Sequence, residues 1–128
     1  MKRLSNSELI IMRILWNNAR QLTSNEILDQ VKDQLDWKLA GIMTALARMA
    51  EKGYVYCDRS TRTNYYSPVI TEKDYKLEEG RSVLEKLFDN SATGLIASLY
   101  QGGDLSSKEI RKLREYLDTL ESGEEEHG

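Results

Sequence analysis

The stretch WKLAGIMTALARMAEKGYVYCDRSTRTNYYSPVI, residues 37–70, changes its period part-way along. From about Lys38, residues Leu39, Ile42, Ala45, Leu46, Met49 and Ala50 recur at steps that place them on one side of a helix. Gly53 follows as a residue suited to the left-handed position that closes a helix. The chain then alternates. Tyr54-Val55-Tyr56-Cys57-Asp58-Arg59 and Asn64-Tyr65-Tyr66-Ser67-Pro68-Val69 are rich in strand formers, and the polar run Ser60-Thr61-Arg62-Thr63 joins them, which predicts a β-hairpin. Pro68, the only proline, sits where a strand ends or runs along an edge.

Working outward, Ser5 with Glu8 and Thr23 with Glu26 make two capping boxes. The first opens a helix that carries Leu9, Ile11, Met12, Leu15 and Trp16 down to Asn17-Asn18. The second opens a helix with Ile27, Leu28 and Val31 inside, running to about Asp33, and Leu22 lies in a short strand-like link between the two. Two capped helices, a third closed by glycine and an immediate hairpin are the parts of a winged helix-turn-helix, in which the third helix enters a DNA major groove. Beyond the hairpin the helical period returns over about Glu72–Asp89, with Gly80 inside it, then over Ala92–Tyr100, and again from Ser106, where Ser106 and Glu109 make a third capping pattern.

The 128 residues suffice for one domain with a short arm. The 40% hydrophobic content supports a core, and the 30% charged content opposes aggregation. No apolar run reaches the roughly 18 residues a membrane helix needs, no signal peptide opens the chain, and a single cysteine, Cys57, excludes an internal disulfide. A reducing cytoplasm is the expected compartment. The only histidine, His127, stands in an acidic tail, and no phosphate loop, nucleophile elbow or metal-ligand spacing occurs. No enzyme, cofactor or metal is therefore expected. Charge is divided: residues 1–70 hold ten Lys/Arg against seven Asp/Glu, and residues 71–128 hold eight against fourteen. A polyanion is drawn to the first part and repelled by the second.

The candidate DNA contacts follow from the outer side of the third helix, which carries Trp37, Ala40, Gly41, Thr44, Ala47, Arg48 and Glu51 with Met43 at its flank. Lys38 reaches a partner only from the first turn. Ala40, Gly41 and Ala47 allow close approach, and Thr44 and Arg48, one turn apart, suit base edges or phosphates. In the wing, Arg59 and Arg62 flank the loop and suit phosphate contact. Cys57 reads as a small hydrophobe.

In its order of motifs the chain resembles the penicillinase-repressor family, the BlaI/MecI/CopY group of bacterial repressors. The resemblance rests on Ser7-Glu8, Ile11-Met12 and Ile14-Leu15-Trp16, on Trp37, on Thr44 through Tyr54, on Asn64 through Pro68, and on Asp104-Leu105-Ser106. It implies a homodimer with an N-terminal winged helix and a C-terminal helical dimerisation arm, repressing by occupying a dyad operator. The expected organisation is mainly α with a small hairpin wing: a DNA-binding domain over 1–70, a helical dimerisation region over 71–121 and an acidic flexible tail over 122–128. Leu95, Ile96, Leu99, Leu113, Leu117 and Leu120 are more apolar residues than isolated short helices can bury, and a two-fold partner covers them. The chain also departs from the family. Lys38, Gly41 and Met43 replace the residues usual at the start and outer face of the third helix, which implies a different operator. Ser98-Leu99 stands where relatives induced by β-lactam signalling carry a cleaved Asn-Phe bond. Glu124-Glu125-Glu126-His127 lacks the Cys-x-Cys pairs of copper-sensing relatives.

Two functions remain open at this point. One is a sequence-specific, double-stranded-DNA-binding transcriptional repressor acting as a homodimer. The other is a winged-helix protein-interaction module without specific DNA binding. An inducer of unidentified chemistry is compatible with the first, and no membrane partner is expected with either.

Overall fold

A computed structural model describes residues 3–127, with the backbone alone for 124–127. The elements run α1 (Asn6–Asn17), α2 (Ser24–Val31), α3 (Leu39–Glu51), β1 (Val55–Asp58), β2 (Tyr65–Pro68), α4 (Glu72–Phe88), α5 (Ala92–Gln101) and α6 (Ser107–His127). The chain divides into two compact units, Met1–Glu78 and Glu79–Gly128.

In the first unit both capping boxes form. The Ser5 side chain accepts from the Glu8 N–H while the Glu8 carboxylate accepts from the Ser5 N–H, and Thr23 and Glu26 repeat the exchange. Helix α3 ends as its glycine requires. Gly53 has φ +88°, Tyr54 N–H donates to Met49 O at 2.9 Å, and Gly53 N–H donates to Ala50 O at 3.1 Å. This is a Schellman close, and it turns the chain directly into β1. The two strands pair antiparallel with Val55 opposite Pro68 and Asp58 opposite Tyr65. Leu22, in the link after α1, exchanges two backbone hydrogen bonds with Tyr66, at 3.0 and 2.7 Å, so the wing is tied to the helices by a third short strand-like segment.

The core sits between α1, α2, α3 and the hairpin. Ile11, Met12, Leu15, Leu22, Ile27, Val31, Ile42, Leu46 and Met49 are fully buried, and Ala45, Tyr54, Val55 and Tyr66 join them. Within α3 the predicted core side holds at Ile42, Ala45, Leu46 and Met49; Leu39 is half-buried and Ala50 is exposed. The first unit continues past Ile70 because Tyr75, on the opening turn of α4, is buried against two aromatic rings. Its centroid lies 5.5 Å from that of Trp16 and 6.0 Å from that of Tyr54, and Trp16 Nε1 donates to Ile70 O at 2.9 Å.

In the second unit no described residue is buried. Helix α4 runs through Gly80 without a break and ends at Asp89 and Asn90, both with positive φ, a conformation the short polar side chains of Asp and Asn tolerate. Ser91 caps α5 by accepting from Gly94 N–H, and Ser106 caps α6 by accepting from Glu109 N–H. Ser98 and Leu99 lie inside α5 and are exposed. Where a tail is expected over 122–128, α6 continues to His127; glutamate is a good helix former and the run Glu124-Glu125-Glu126 propagates the helix backbone. Gly128 and the His127 side chain lie outside the described residues. Among those residues no helix is long and apolar enough to cross a membrane.

Candidate nucleic-acid interface

The outer face of α3 borders a shallow groove of about 460 Å³, lined by Ser5, Glu8, Trp37, Ala40, Gly41, Thr44, Ala45, Arg48 and Lys52. Of the residues predicted for DNA contact, the groove brings Gly41, Thr44 and Arg48 together. Lys38 stands just before it as the N-terminal cap of α3, exposed and with no side-chain capping bond. Arg59 and Arg62 are exposed in the loop between β1 and β2 and are not among the groove's lining residues.

Each of these residues is held for a local reason. Arg48 projects from the last turn of α3, is exposed and makes no ion pair with a described residue. Thr44 is exposed, but its hydroxyl donates to Ala40 O one turn back at 2.9 Å. Gly41 is half-buried beneath Trp37: a Cβ built on it would meet the indole at 3.5 Å from Cε3 and 3.6 Å from Cδ2. Its missing side chain thus faces the Trp37 ring, which forms a wall of the groove, rather than open space for a partner. The wing loop is ordered from within. Ser60 N–H donates to Asp58 Oδ1 at 2.9 Å, Thr61 Oγ1 donates to Thr63 O at 2.8 Å, and the bonds from Ser60 hold the Asp58 carboxyl below its ordinary range.

One member of the groove was not legible as such. Glu8, only 4% exposed, accepts from Lys52 Nζ at 2.7 Å through the same Oε1 that caps α1, and Lys52 also donates to Arg3 O at 3.2 Å. Burial acts to raise the Glu8 pKa, but the bonds from Lys52 and Ser5 outweigh it, and the carboxyl titrates below its ordinary value. Glu8 therefore stays anionic and cancels Lys52, leaving Arg48 as the cation of the groove that has no partner among the described residues. The capping pattern pointed to Glu8. Nothing local pointed to its partner 44 residues away.

Residues 4–119, from just before α1 into α6, match one family, Penicillinase repressor. The chain belongs to that family. The penicillinase repressor of Bacillus licheniformis is 25% identical over 116 residues, covering 91% of this chain and 90% of that protein. The methicillin resistance regulatory protein MecI of Staphylococcus aureus (strain N315) is 25% identical over 114 residues, covering 89% and 92%. The solution structure of the DNA-binding domain of the repressor BlaI superposes with a TM-score of 0.50 at 29% identity, covering 59% of this chain and 94% of that domain. The penicillinase-repressor fold is thus present as expected: mainly helical, with a two-stranded hairpin wing. The family is one of repressors, not an enzyme class.

Proposed function

We propose that this penicillinase-repressor family member is a sequence-specific, double-stranded-DNA-binding transcriptional repressor that acts as a homodimer on a dyad operator. Helix α3 enters the major groove, and the β1–β2 wing lies on the backbone or minor groove. The observation that carries the reading is the outer face of α3. Beyond the half-buried Trp37 and Gly41 it is exposed, free of bulky charged side chains apart from Arg48 and Glu51, and belongs to a unit similar to the DNA-binding domain of BlaI. Arg48 reads a base edge, Lys38 contacts phosphate from the first turn, and Arg59 and Arg62 contact phosphate from the wing.

The second unit supports the two-fold assembly. Leu95, Ile96 and Leu113 are half-buried, while Leu99, Leu117 and Leu120 are 39%, 46% and 43% exposed. So much uncovered apolar surface on two helices, α5 and α6, is what a second copy of the same face buries. DNA binding is therefore assigned to the N-terminal domain and dimerisation to the helices beyond it.

The test is to incubate the purified protein with sheared DNA from its own source and sequence what it retains. A recovered short dyad supports the repressor. Retention with no common sequence makes the binding charge-driven and non-specific, and no retention favours a protein-interaction module; either contradicts the reading.

A further inference from the structure

The reading face of α3 has few hydrogen bonds to offer. Ala40 and Ala47 are exposed and have none, and Met43 is 47% exposed in a position where a solvated helix face ordinarily carries a charge. Thr44 looks like a polar reader in the sequence, but its single hydroxyl hydrogen is committed to Ala40 O. Toward a partner it offers its γ-methyl group and only the lone pairs of that oxygen. Glu8 neutralises Lys52, and Gly41 lies under Trp37. Arg48 is left as the hydrogen-bond donor aimed outward from the middle or last turn of the helix.

In the major groove, the feature that apolar side chains recognise is the 5-methyl group of thymine. We propose that α3 reads its half-site chiefly by apolar contact, with Met43 and the Thr44 methyl packed on thymine 5-methyl groups and Arg48 supplying the hydrogen-bonded base contact. The inference rests on the DNA-binding function proposed above and specifies what kind of site that function selects: a thymine-bearing half-site recognised by apolar contact, with one position fixed by Arg48. The exposed thioether is suited to this role, because a flexible, polarisable chain adapts to a methyl surface without needing a fixed donor geometry.

The experiment uses the full-length protein and the duplex recovered by retention, with each thymine of one half-site replaced in turn by uracil. That replacement deletes the methyl group and leaves every hydrogen-bonding atom in place. Affinity is expected to fall about fourfold at each contacted position, the effect of one buried methyl group. Met43→Ala should abolish the uracil sensitivity of one such position. At Thr44, Thr44→Val keeps the methyl and should retain affinity, whereas Thr44→Ser keeps the back-bonded hydroxyl and should lose about fourfold. These side chains are exposed, so the fold does not depend on them, and the uracil series on unaltered protein needs no variant at all. Specific binding of the thymine duplex with no loss at any uracil position overturns the inference while leaving the repressor reading standing. The opposite order at Thr44, Ser retained and Val lost, likewise overturns it. Equal binding of the recovered and a scrambled duplex defeats the repressor reading and this inference with it.

Discussion

The Glu8 carboxylate accepts from the amide of Ser5 at 2.8 Å and from the ammonium of Lys52 at 2.7 Å through a single oxygen, Oε1, inside a nearly closed environment. A charge held in this way stabilises only while its partner is present. Lys52→Met leaves a buried carboxylate paired with an amide alone. Removing one partner of a fully buried pair costs about 3–5 kcal/mol. Because Lys52 is partly exposed, the expected loss is about 2 kcal/mol, read by urea unfolding at neutral pH. The pH dependence follows from the direction of the shift. The folded-state pKa of Glu8 is depressed below its ordinary 4.5, so its contribution is complete above that value and disappears as pH falls through the folded pKa. The difference between the native protein and Lys52→Met should therefore shrink on going from about pH 7 to about pH 3. Glu26, drawn down to about 2 chiefly by the Arg20 guanidinium, keeps its charge further into acid. At the reading face, Arg48→Ala should weaken specific binding by about 1–3 kcal/mol and leave binding to random duplex little changed. Equal losses on both would make Arg48 a phosphate contact.

The elements were legible wherever one residue has a local mechanism. Gly53 closes α3 because its φ of +88° carries a steric penalty for a side chain, so Gly53→Ala should destabilise by about 1–2 kcal/mol in thermal or denaturant unfolding. An unchanged stability would contradict the Schellman close. The capping pairs Ser5/Glu8 and Thr23/Glu26 and the hairpin strands could be read for the same reason: each is encoded within a few residues. The contacts that build the site were not legible, because they join segments far apart in the chain. Tyr75 reaches the rings of Trp16 and Tyr54 and carries the first unit beyond Ile70 into α4. Lys52 reaches Glu8 at the other end of that unit's helices. Gly41 offered room for a partner in the sequence and faces Trp37 in the fold. Thr44 lies on the outer face, as the helical period requires, but periodicity says nothing about where its hydroxyl hydrogen goes. Helix α6 runs through the acidic residues, over which charge alone predicts a tail.

At the scale of the whole molecule, the two units divide their properties. The first has a closed core and a surplus of cations over residues 1–70; the second is acidic and has no buried residue among those described. That division fits a DNA-binding head and a dimerisation arm. Placing charges on the arm, as in Leu113→Glu with Leu117→Glu, should convert the protein to a monomer by light scattering and lower its affinity for the recovered dyad by more than about tenfold, because the two half-sites are then bound separately. A variant that remains a dimer would remove these leucines from the interface. The most direct test of the account is competition between the recovered dyad and a scrambled duplex of equal composition at physiological salt. The proposed repressor prefers the dyad by about a thousandfold or more, with an affinity that falls steeply as salt rises. Equal affinity for the two duplexes would contradict it.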